Sequence, residues 1–97
     1  MQWRDVHTER GEELAQHYVF SIKKRDQGRE IDFSITVKEY STPPPGQNLR
    51  FFAVADKQVN QSTAAFLPSG WGDTVAQALA DCIRLIRQFP YEGSLQE

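Results

Sequence analysis

The side chains of this sequence that could do catalytic or metal chemistry are few: two histidines, one cysteine and scattered carboxylates. His7 and His17 stand ten residues apart, which is no metal-ligand spacing. Together with Glu12 or Glu13 they supply the donor types for a site, but ordinary surface histidines fit the pattern better. Cys82 sits beside Ile83 and Ile86. A reactive thiol needs exposure and a depressed pKa, and an apolar setting gives neither, so Cys82 reads as a core residue with no histidine partner. Glu30 and Asp32 could serve acid–base work only with a raised pKa, and their solvated neighbours offer no cause for one. The serines carry no nucleophile signature, and no glycine-rich phosphate loop is present. Asn60-Gln61-Ser62 has the form of a glycosylation sequon, which without a secretory leader is a chance match. No catalytic residue, metal site or cofactor is therefore expected, and the chain reads as a non-enzyme.

Two features bear on binding instead. Lys23, Lys24, Arg25 and Arg29 place four cations within seven residues. Such a cluster could contact nucleic-acid phosphates, with aromatics on the adjoining strand stacking bases. Asp26, Glu30 and Asp32 are interleaved with it, so a solvated turn is the simpler reading. Pro43-Pro44-Pro45 could fit an aromatic groove, but a stiff connector guarding a sheet edge explains it as well.

These residues sit in a chain of 97 residues with 11 basic and 13 acidic side chains, a net charge of −2. The pI near 5.6 argues against a generally basic nucleic-acid binder. The length fits one domain, 1–97, with 1–15 as a loose arm and 91–97 as a C-terminal tail. A lone cysteine excludes a disulfide-stapled scaffold, and no apolar run reaches the ~18 residues of a membrane helix. The polar start MQWRDVHTER lacks the apolar core of a signal peptide, so a cytoplasmic setting is expected.

Period-two alternation marks the strands. Tyr18, Phe20 and Ile22 oppose Val19, Ser21 and Lys23; Ile31, Phe33, Ile35 and Val37 oppose Asp32, Ser34, Thr36 and Lys38. Asp26-Gln27-Gly28 turns between them, which predicts a β-hairpin over 17–40. After the proline loop, Leu49–Asp56 is apolar on both faces, as a central strand is. Thr63–Leu67 reads either as a short fourth strand or as a polar loop pinned by Phe66. A short helical turn over Glu12–Gln16 is one reading of the arm. Val75, Leu79, Cys82, Ile83, Ile86 and Phe89 then form one helical stripe, capped by Thr74 with Gln77 and stopped by Pro90. The expected fold is an α+β two-layer sandwich. Its antiparallel sheet has three strands, or four if 58–71 supplies another, and the C-terminal helix covers one face. Tyr18, Phe20, Ile22 and the inward face of the second strand should meet the helix.

The segment Gly72-Asp73-Thr74-Val75-Ala76-Gln77-Ala78-Leu79-Ala80-Asp81 resembles the helix start of HicB-like antitoxin domains. Their β-β-β-α order is shared with double-stranded-RNA-binding-like folds. The resemblance implies a small partner-binding domain, of the kind that occludes an RNA-cleaving toxin. RNA-binding relatives of that fold rely on lysines at the start of their second helix, where this chain has Asp73-Thr74-Val75-Ala76-Gln77 and no lysine.

One helix leaves one sheet face open, and Phe52 with Val54 should lie on it. Trp3, Phe66 or Trp71 could cover them, or another chain could. The expected function is protein binding or self-association through the sheet, by an unidentified protein or as a homodimer, with Phe52, Val54 and Trp71 as contacts. The alternative is a nucleic-acid-binding module using Lys23, Lys24, Arg25 and Arg29.

Overall fold

In a computed structural model describing residues 1–93, the chain forms one four-stranded antiparallel sheet with a single long helix on one side. The strands are β1 (Ala15–Asp26), β2 (Arg29–Tyr40), β3 (Phe51–Ala55) and β4 (Ser69–Gly72), paired in the order β1-β2-β3-β4. The helix α1 spans Val75–Gln88. No described helix is long and apolar enough to cross a membrane.

The β1–β2 hairpin turns on two residues, Gln27 (φ 54°) and Gly28 (φ 77°). Left-handed conformation at both positions matches the right-handed twist of the flanking strands, and glycine adopts it without steric cost. Twelve residues of each strand then pair without a bulge, from Asp26 opposite Arg29 to Ala15 opposite Tyr40. Alternation puts Ile31, Phe33, Ile35 and Val37 on the helix side, all buried, together with Ala53 and Ala55 of β3. Burying each large side chain stabilises the fold by roughly 1.5–3 kcal/mol.

The fourth strand exists, but not at Thr63–Leu67. That stretch contributes only a bridge between Val59 and Phe66, and the strand is Ser69–Gly72. Its sequence, Ser-Gly-Trp-Gly, has little strand propensity and no apolar alternation. Its glycines serve another purpose. A Cβ on Gly70 would lie 2.7 Å from the Ala78 carbonyl oxygen, and one on Gly72 would lie 2.6 Å from the Ala78 amide nitrogen. β4 is thus where the helix backbone rests directly on the sheet, a use of strand glycine that periodicity does not register.

That contact decides where α1 sits. It packs mainly on β4 and β3, touches β2 less, and barely reaches β1. The centre of its stripe is Ala78, Cys82 and Ile86, fully buried, flanked by Val75, Leu79, Ile83 and Phe89. The expectation that Tyr18, Phe20 and Ile22 all meet the helix is corrected accordingly: they point to its side of the sheet, but Phe20 remains 36% exposed. Thr74 caps the helix through Oγ1, which accepts from the Gln77 amide at 3.1 Å. Gln77 Oε1 reaches back to accept from the Asp73 amide at 2.8 Å, so the reciprocal cap closes one residue earlier than the sequence implies.

Each terminal segment has a tie to the sheet: Arg4 to Glu39, and Tyr91 to Phe33. Trp3–Asp5 is a short 3-10 turn, and no helical turn forms over Glu12–Gln16, where β1 begins at Ala15. Within the expected 91–97 tail, Tyr91 is buried edge-on against Phe33 at 6.0 Å. Glu92 accepts from the Ser62 hydroxyl and amide, which holds its carboxyl below the usual range. Residues 94–97 of that tail lie outside the described part.

Candidate protein-binding face

The sheet face opposite α1 is assembled by register. Phe52 stands between Lys38 on β2 and Trp71 on β4, and Val54 stands between Thr36 and Ser69 in the next row. Val19 continues that row on β1, opposite Thr36. Phe52 and Trp71 rings lie 4.6 Å apart, and Tyr40 stacks on Trp71 at 6.3 Å with 21° between planes. The three rings form a contiguous, half-buried row with Val54 beside it. Offset aromatic contacts of this kind contribute about 0.5–1.5 kcal/mol beyond area burial. Burial, and then the nearby charge of Glu13, raises the Tyr40 phenol above its ordinary value, so the hydroxyl is neutral and a donor at physiological pH.

The structure thus brings Phe52, Val54 and Trp71 together. Of the three side chains that could have covered Phe52 and Val54, only Trp71 stands beside them, its ring against Phe52. Phe66 packs on Phe89 at 5.0 Å at the end of the helix, and Trp3 lies under its neighbour Arg4. Tyr40 was absent from the sequence reading of this face. The signal was available, since Tyr40 shares the outward phase of Lys38 and Thr36.

The basic residues of the hairpin are dispersed. Lys24 points to the helix side, where its ammonium donates to the Ile86 carbonyl at 2.7 Å and the Phe89 carbonyl at 2.9 Å. It thereby satisfies orphan carbonyls at the negative end of α1. Arg29 donates to the carbonyls of Tyr91 and Gly93 and lies over the Tyr91 ring at 5.6 Å. Lys23 and Arg25 face the other way and share Glu30, at 3.7 Å and 2.9 Å. The four cations never form one patch.

Cys82 is buried, its thiol donating to the Pro68 carbonyl at 3.4 Å. Burial first, and the Asp81 charge second, push its pKa up to about 11, which suppresses the thiolate. His7 pairs with Glu9 at 3.0 Å on the surface, while His17 is in β1 on the open face, far along the chain from that pair. Among the described residues no three His, Cys, Asp or Glu side chains converge as a metal site.

Sequence reading also missed a buried charge. Glu39 occupies the inward phase of β2, where its carboxylate accepts from Arg4 Nε at 2.7 Å and from the Tyr18 hydroxyl at 2.8 Å. It lines a cleft of about 410 Å³ with Arg4, Pro43, Asn48, Arg50, Phe51 and Asp73. The break in an otherwise apolar phase at Glu39 was the available signal.

Compared with protein-family models, curated proteins and solved structures, the chain finds no match.

Proposed function

We propose that this chain is a non-catalytic binding module that takes a protein partner on the open face of its sheet. The observation that carries the reading is the continuous Tyr40–Trp71–Phe52 row, with Val54 alongside, on the face α1 leaves uncovered. Aromatic residues at the centre of a polar surface are the usual anchors of protein interfaces. Lys38, beside Phe52, makes no ion pair among the described residues, which suits a partner whose apolar segment is edged by carboxylates. The likeness of Gly72–Asp81 to HicB-like domains also points to a protein ligand. The nucleic-acid alternative draws little support from the hairpin, because Lys24 and Arg29 are engaged in holding the C-terminal segment.

The test is affinity purification from the native host with the parent chain and with Phe52→Ser and Trp71→Ser. A partner retained by the parent and lost from both variants, each still folded by circular dichroism, supports the reading. Equal retention by all three chains overturns it. In parallel, retention on nucleic acid at ~50 mM salt, abolished by charge reversal of Lys23 and Arg25, would favour the alternative.

A further inference from the structure

The sheet has two edges, and they are unlike. β4 presents four residues, whereas β1 presents twelve, without proline or bulge. Long unprotected edges are ordinarily blunted, because their outward N–H and C=O groups template another strand. The Ser41 amide bonds the Leu14 carbonyl, so even-numbered residues of β1 bond β2. The backbone groups of Ala15, His17, Val19, Ser21, Lys23 and Arg25 therefore point away from the sheet.

Both faces of this edge are apolar at its middle. Val19 is 67% exposed on the open face, and Phe20 is 36% exposed on the other, where α1 stops short. The ends of the edge carry opposite charge: Glu13 precedes β1, and Lys23 and Arg25 lie near its close. Arg25 is largely exposed. A strand with one acidic and one basic end complements itself only when antiparallel.

We propose that β1 pairs antiparallel with β1 of a second copy, about a two-fold axis passing through Val19 perpendicular to the sheet. Val19 then faces Val19, and His17 faces Ser21. Tyr18 faces Phe20 as a cross-strand aromatic pair. Glu13 comes opposite Arg25, which is 2.9 Å from Glu30 of its own chain and so becomes flanked by two carboxylates. A parallel arrangement would instead set like charges together. The result is a continuous eight-stranded sheet with both helices on one side, an isologous assembly that closes on itself. Val19 shares the open face with the aromatic row, but the pairing runs through the backbone edge of β1, and the inference does not depend on the partner proposed there.

Sedimentation and light scattering of the full chain across micromolar to millimolar concentration provide the test. The parent should reach twice its 11.1 kDa mass. Val19→Lys, which sets two lysines across the axis, should weaken the dimer at least tenfold (about 1.4 kcal/mol) while leaving the fold intact. Glu13→Arg should weaken it too, and adding Arg25→Glu should restore it, an outcome specific to this register. Amides of His17, Val19 and Ser21 should gain exchange protection as concentration rises. A strict monomer throughout overturns the proposal, as does a dimer indifferent to Val19→Lys. Loss of the dimer in Trp71→Ser but not in Val19→Lys would assign self-association to the open face and likewise overturn it.

Discussion

Arg4, in the 3-10 turn at the start of the chain, donates to the carboxylate of Glu39, which is only 2% exposed on the inward face of β2. The Tyr18 hydroxyl donates to the other oxygen of the same carboxylate, and this bond is the first cause of the rise in the tyrosine's own pKa. A buried carboxylate is tolerable only with such partners.

Removing Arg4 should therefore cost more than a surface ion pair does. Arg4→Ala is expected to destabilise the fold by about 1–3 kcal/mol, the penalty of an under-satisfied buried acceptor. Glu39→Gln in the same chain should recover part of that loss, because a neutral amide needs no counter-charge. Urea titration of the two single variants and the double variant checks this; additive losses would show that the residues act independently.

Gly70 and Gly72 should resist even alanine. The neighbours of an added Cβ are backbone atoms of Ala78 and Cys82 with the Asp81 Cβ at Gly70, and backbone atoms of Gln77 and Ala78 with the Gln77 Cβ at Gly72. All are fixed by the helix backbone, so neither side can yield without separating helix from sheet. A loss of about 1–3 kcal/mol is expected for each, as for other overpacked sites. Ser69→Ala, one position away on the open face, is the control and should change little.

The Cys82 thiol should react with Ellman's reagent only as the protein unfolds. Its labelling rate then follows the opening equilibrium, and rapid labelling under native conditions would contradict the buried placement. The folded pKa of about 11 lies above the reference 9.0, so folding favours the protonated thiol. Its contribution to stability is complete below pH 9.0 and declines as pH rises towards about 11. Cys82→Ala should remove that part of the alkaline decline in a denaturation series.

Lys24→Met keeps the aliphatic stem but removes the donor to the Ile86 and Phe89 carbonyls. The last turn of α1 should fray, with faster amide exchange at its end and a loss of about 1 kcal/mol. An unchanged exchange pattern would mean that Pro90 and the loop contacts suffice to hold the helix end.

The hairpin and the helix were legible because each depends on residues close in sequence. Ile31 to Val37 alternate, Asp26-Gln27-Gly28 can turn, and Thr74 with Gln77 can cap. Phe52 and Val54 were placed on the open face by the same parity, and Trp71 joins them. The position of β4 was not legible, because Gly70 and Gly72 matter through the side chains they lack. The engagement of Lys24 was equally hidden, since its acceptors lie more than sixty residues later.

The sequence by itself determined which segments pair, turn and coil, since hydrophobic periodicity and turn chemistry are local properties. Only the tertiary structure decided which surfaces remain exposed. The glycines of β4 draw α1 to one side of the sheet, and that offset leaves β1 bare at Phe20, while Val19 is exposed on the face that no helix covers. It also decided that Lys24 serves the helix end and Arg29 the C-terminal segment, because carbonyls exert their pull only where the fold has brought them within hydrogen-bonding distance.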